Sequence, residues 1–140
     1  MAEGRYVISR IGRTLVLTFE GAADAGALSA AARVLADMHA REGAGSVVFE
    51  VSGCEVIDLD EFMELKKAVD TMEWLGLRCV IAGLRPGIVA YLATAGISAG
   101  SLRTSLDLEL ALLELELSRE EIESESSSDA EPESDDARPL

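Results

Sequence analysis

The sequence predicts an α/β fold, an open mixed β-sheet of four to five strands packed against about four helices. The first observation is the stretch from Ser46 to Pro86. An apolar run, Val47–Val51, is followed by an acid-opened amphipathic segment from Asp58 that stops at Leu75-Gly76. A second apolar run, Cys79–Gly83, then leads to Leu84-Arg85-Pro86. Two buried strands flanking a helix form a βαβ unit, whose loop and helix start lie at the carboxyl end of the first strand, where such folds place their sites. That reasoning places the functional centre at Asp58–Met63. The second observation is a pair of short β-branched runs near the amino terminus, Arg5–Ser9 and Thr14–Phe19, around Ile11-Gly12-Arg13. These predict a hairpin.

The remaining elements follow in chain order. Asp24 is placed as the N-cap of a helix through Arg41, with Leu28, Ala31, Leu35 and Met38 spaced along one apolar face. Gly43 and Gly45 close it. The helix from Asp58 comes next, then a strand, then a short helix opening at Pro86, where the missing N–H costs nothing in a first turn. Gly96 ends that helix. Leu102–Ser105 is read as a short fifth strand. Leu106–Leu117 alternates Leu and Glu with period two, yet its composition favours helix and Asp107 is suited to cap it, so helix is expected.

Composition bounds the function. The 140 residues fit one globular domain. A net charge of −14 argues against a nucleic-acid partner, which needs a basic patch. Half of that charge lies in residues 118–140, where nine acids face Arg119 and Arg138. This Ser/Glu-rich tail is too poor in large apolar residues to fold and is expected to be disordered, leaving 1–117 as the domain. Its serines, Ser124, Ser126, Ser127 and Ser128, are read as part of a solvating segment. Cys54 and Cys79 lie outside any C-x-x-C motif, and His39 is the single histidine, so neither a metal site nor a cofactor is expected. His39 itself is placed on the surface near a helix end. Glu3 and Arg5 interrupt any secretory signal, and Arg85 breaks the most apolar region, so a cytoplasmic protein without membrane insertion is expected.

The order of elements, the Val-Val-Phe-Glu-Val strand ending at Val51, the Val56-Ile57-Asp58 helix start, the Gly76 stop and the Ala82-Gly83-Leu84-Arg85-Pro86 turn resemble a STAS domain (sulfate-transporter and anti-sigma-antagonist domain) over roughly residues 5–117. The likeness is greatest to the scaffold proteins of the bacterial stressosome. It implies a non-enzymatic module in an oligomeric assembly whose partners are homologous STAS scaffold proteins and a switch kinase or anti-sigma factor. The alternative it implies is a cytoplasmic accessory subunit of a membrane lipid transporter. In the family a hydroxyl residue at the start of the second helix is phosphorylated to change partner. The physical effect is nearly two added charges beside a contact surface. Leu59 occupies that position here, and Ala25 occupies a second switch position after Asp24, so neither accepts phosphate.

Asp58 and Glu61 imitate a capping box, and acids suit the positive end of a helix. Asp58 and Asp60 are also candidates for a fixed negative charge in place of phosphate. No nucleophile, histidine or metal ligand accompanies them, so catalytic carboxylates are not expected. On the helical wheel Phe62, Leu65, Val69 and Met72 form the sheet-facing stripe, and Leu59, Met63 and Trp74 project roughly 100–160° away from it. Together with Lys66 these form the expected partner surface, since Trp and Met are enriched in interface cores. Ser52-Gly53 is read as a strand-to-loop turn and Arg85 as a solvated cap residue.

Overall fold

The computed structural model describes residues 5–97 and 102–121. Five strands and four helices alternate as β1 (Arg5–Ile11), β2 (Thr14–Glu20), α1 (Ala25–Glu42), β3 (Ser46–Gly53), α2 (Leu59–Trp74), β4 (Arg78–Ala82), α3 (Pro86–Thr94), β5 (Thr104–Ser105) and α4 (108–121). The single sheet has the order β1-β2-β3-β4-β5. β1 and β2 form the expected antiparallel hairpin, and every later neighbour pairs in parallel.

The central strand explains the layers. Ser46 through Val51 is buried at every position, as a strand covered on both faces requires. Its alternate side chains divide between two cores. Val47, Phe49 and Val51 join Leu15, Leu17 and Phe19 of β2 and the inner faces of α1 and α2. Val48 faces the other way with Val80 and Ala82 of β4, and there Ala111 and Leu115 of α4 cover them. The Leu-Glu segment is therefore a helix, and its role is to close the second face of the sheet. Asp107 caps it as expected, its Oδ1 accepting from the Leu110 N–H at 2.9 Å. The helix runs on to residue 121, four residues past the expected domain boundary at 117. The rest of the acidic tail, 122–140, lies outside the described residues.

The first helix also starts as read, with Asp24 Oδ1 accepting from Ala27 N–H at 2.8 Å. Leu28, Ala31 and Leu35 are buried, and Met38 packs half-buried against the same core. His39 lies near the end of α1 as expected, half-buried, and it also carries two hydrogen bonds. Its Nδ1 accepts from the Ala44 N–H at 3.1 Å, so Nε2 carries the ring hydrogen and donates to the Leu75 carbonyl at 3.0 Å. The imidazole thus ties the ends of α1 and α2 together. The fifth strand is shorter than read, pairing only Thr104 and Ser105 with Ile81 and Ala82. Among the described residues no helix is long and apolar enough to cross a membrane.

Gly83 sets the fit between β3 and β4. Its φ is +83°, and a Cβ there would lie 2.7 Å from Ser52 Cβ and 2.9 Å from Ser52 N. Gly76, at φ +91°, ends α2 with open space around its missing Cβ. Gly76→Ala should therefore cost only backbone strain, roughly 1–2 kcal/mol, whereas Gly83→Ala adds overpacking for roughly 2–5 kcal/mol in all. Urea denaturation of the two variants measures this, and equal losses would contradict the close approach at Ser52.

Candidate protein-interaction surface

The carboxyl ends of β3 and β4 and the start of α2 are held by a set of short contacts. Glu50 is buried at the end of the apolar run, with 9% of its surface exposed. Its carboxylate accepts from Ser52 N–H at 3.1 Å and from the Ser52 hydroxyl at 2.8 Å. Ser52 and Gly53, read as a strand-to-loop turn, are thus the last two residues of β3, held to it by the Glu50 side chain. Arg85 Nη2 donates to the Ser52 carbonyl at 3.0 Å, so this arginine joins α3 to the end of β3 besides standing at a helix start. Gly53 passes so close to β2 that a Cβ would lie 2.8 Å from the Phe19 carbonyl oxygen.

On this frame α2 begins with a complete capping box. Asp58 Oδ1 accepts from the Glu61 N–H at 2.8 Å, and Glu61 Oε1 accepts from the Asp58 N–H at 3.0 Å. The Asp58 carboxylate is thus engaged with its own helix. Asp60 is exposed in the first turn of the helix. Of the two carboxylates considered as a fixed charge, Asp60 is the one that points its charge to solvent without a capping duty. Ala25 is exposed at the first residue of α1.

The inner stripe of α2 is as read: Phe62, Leu65, Val69 and Met72 are buried, joined by Ala68. The outer side chains divide. Met63 is 42% exposed and Trp74 90% exposed. Leu59 is instead half-buried and packs against the main core. A wheel places residues about the helix axis alone, and at its first turn the core reaches around the end of the helix as well as along its side. Met63 and Trp74 share one side of α2, about 20° apart in azimuth but about 16 Å apart along the axis. Between them stand half-buried Lys66, exposed Lys67 and exposed Asp70. The outer face therefore carries two separated apolar anchors with a charged middle, in place of one apolar cluster. Val56, in the loop before α2, is a further exposed apolar side chain at 72%, which a helical wheel does not include because it precedes the helix.

Both thiols sit where burial favours the protonated form. Burial pushes the Cys54 thiol up to about 11, with the Glu61 and Glu50 carboxylates adding to the shift and Arg85 opposing it. Burial likewise pushes Cys79 up to about 12, aided by Glu73 and Asp70. Both cysteines are free. Among the described residues no group of three or more His, Cys, Asp or Glu side chains is arranged to hold a metal ion.

Comparisons with solved structures identify the architecture. The stressosome protein RsbS of Moorella thermoacetica, in a Ser-to-Glu variant, matches with a TM-score of 0.70 at 24% identity, over 82% of this chain and 98% of that one. The chain has the STAS fold. A structure of the stressosome, described as a signal integration and transduction hub, matches with a TM-score of 0.64 at 21% identity, over 79% of this chain and 96% of that one. A candidate anti-sigma factor antagonist of Thermotoga maritima follows with a TM-score of 0.63 at 10% identity, over 78% of this chain and 92% of that one. No protein-family model matches the sequence, and no curated protein does.

The raised thiols give a pH dependence with a definite sign. Unfolded cysteine ionises near 9, while the folded thiols hold their protons to about 11 and about 12. The folded state therefore binds more protons above pH 9, and stability falls as pH rises through that range. The urea midpoint should drop between about pH 8 and pH 10.5, and drop less in the Cys54→Ala/Cys79→Ala double variant. Identical slopes would show that the thiols ionise freely in the fold.

Proposed function

We propose that this chain is a non-enzymatic protein-interaction module, a STAS-type scaffold or anti-sigma factor antagonist in a bacterial stress-signalling assembly. The observation that carries the reading is the likeness to RsbS, which takes in nearly the whole of that protein with a TM-score of 0.70. The α2 surface supports it physically. Met63 and Trp74 are large apolar side chains held outward on a helix whose inner stripe is already filled. A partner that covers them gains about 25 cal/mol for each Å² of apolar surface, before association costs are subtracted. Lys66 and the exposed edge of Leu59 complete the contact. The partners on this reading are homologous STAS scaffold proteins and a switch kinase or anti-sigma factor, in an oligomeric assembly.

Leu59 and Ala25 bear no hydroxyl, so partner exchange at these positions does not run through phosphate esters. The exposed Asp60 carboxylate supplies one permanent charge beside the position where a phosphate would bring nearly two. Such a module is constitutive: it holds one binding state and leaves switching to its partners.

The test is binding of purified homologous STAS scaffold and switch kinase, measured by calorimetry and size-exclusion chromatography. Met63→Glu and Trp74→Ala should each weaken one of these complexes about tenfold or more, while the folded stability of these exposed positions changes by about 0.5 kcal/mol. Asp60→Asn should have a smaller effect that fades with added salt. Unchanged binding by the Met63→Glu/Trp74→Ala double variant would overturn the reading.

A further inference from the structure

At the opposite end of the sheet, where the parallel strands begin, a cleft of about 640 Å³ opens between the β1–β2 turn and α4. Arg13 from the turn, Arg78 at the start of β4 and Arg119 from the last part of α4 all line it. We propose that this cleft is a binding site for a small organic anion, a molecule carrying a phosphoryl or carboxylate group on an apolar body.

The first argument is charge. The chain has 12 basic residues and a net charge of −14, yet among the described residues that line the cleft three are arginines and one, Glu116, is an acid. Glu116 is taken up by its ion pair with Arg119, one helical turn away. Among the described residues neither Arg13 nor Arg78 forms an ion pair. At physiological salt charges are screened over about 8 Å, so the guanidinium groups that line the cleft act most strongly on an anion seated within it.

The second argument is hydrogen bonding. Arg78 Nη1 is buried and has no hydrogen-bond partner among the described residues. A buried charged donor without an acceptor is a standing cost, which a ligand oxygen would remove. Beside it Thr14 Oγ1 and Ser46 Oγ, on buried residues, lie 2.7 Å apart. One hydroxyl donates to the other, which leaves the second hydrogen for an acceptor in the cleft. Arg13 gains its place from Gly45: a Cβ there would come within 3.3 Å of Arg13 Nε. Guanidinium forks of this kind match the paired oxygens of carboxylate and phosphate.

The third argument is the rest of the wall. Ile11, Leu112 and Leu115 also line the cleft. A bare inorganic ion would leave that apolar surface uncovered, whereas an organic anion fills both parts. The cleft is separate from the α2 surface, and its occupancy does not depend on the interaction role.

The full-length protein can be titrated calorimetrically with phenyl phosphate and, separately, with inorganic phosphate. Phenyl phosphate should bind saturably and more tightly than inorganic phosphate, with an affinity that falls as salt is raised. Arg78→Gln and Arg13→Gln should each weaken it about tenfold or more, while Arg103→Gln, outside the cleft, leaves it unchanged. Circular dichroism melts report whether each variant is folded, and Arg13→Gln, on a turn, carries the test if Arg78→Gln unfolds. Absence of saturable phenyl phosphate binding would overturn the proposal. Binding that survives both substitutions, or that Arg103→Gln weakens equally, would overturn it as well.

Discussion

Everything else in the molecule depends on the burial of β3 from both sides. A strand whose six residues from Ser46 to Val51 are all out of water needs a cover on each face. The inner faces of α1 and α2 supply one cover, and Ala111 with Leu115 of α4 supply the other. Small residues where α4 meets the sheet, Ala82 and Ala111, fit a helix close against a strand. Parallel pairing on both sides of β3 then forces crossover helices between consecutive strands. Those crossovers bring the start of α2 to one end of the sheet and the β1–β2 turn, the start of β4 and the end of α4 to the other.

The two ends are built differently. At the carboxyl end the polar groups satisfy one another: Glu50 holds Ser52, Arg85 holds the Ser52 carbonyl, and Asp58 and Glu61 cap α2 reciprocally. That closure makes a rigid frame on which Asp60 and Met63 stand exposed. Buried thiols that keep their protons well above neutral pH fit the same picture. At the amino end Arg78 Nη1 is buried with no partner among the described residues. Contact with proteins suits the closed end, and contact with a small anion suits the open one.

Much of this was legible in the sequence because it rests on local chemistry. Asp24, Asp58 and Asp107 each announce a helix start by side chain and spacing, and each makes the cap its position implies. The apolar run Val47–Val51 announces a strand buried on both faces. Properties that depend on distant neighbours were harder to read. Period-two Leu and Glu in 106–117 fit either secondary structure; composition and the Asp107 cap favoured the helix that forms, but not the sheet face that it covers. Leu59 lies outward on a wheel and half-buried in the fold, because the core wraps the end of α2. Glu50, an acid inside an apolar run, is a signal the sequence analysis did not use: it is buried, and the Ser52 hydroxyl donates to it. Arg13, Arg78 and Arg119 are too far apart in sequence for any motif to join them; the hairpin turn, a strand start and α4 bring them together.

The central claim is that the start of α2, with its fixed charge and apolar anchor, is where a partner protein docks without a phosphate switch. Hydrogen exchange of the unmodified protein, alone and saturated with a homologous STAS scaffold or switch kinase, tests it most directly. The account predicts slowed exchange in peptides covering residues 56–74, with the amino end of the sheet unchanged. Protection confined to other elements, with residues 56–74 exchanging as in the free protein, would contradict it.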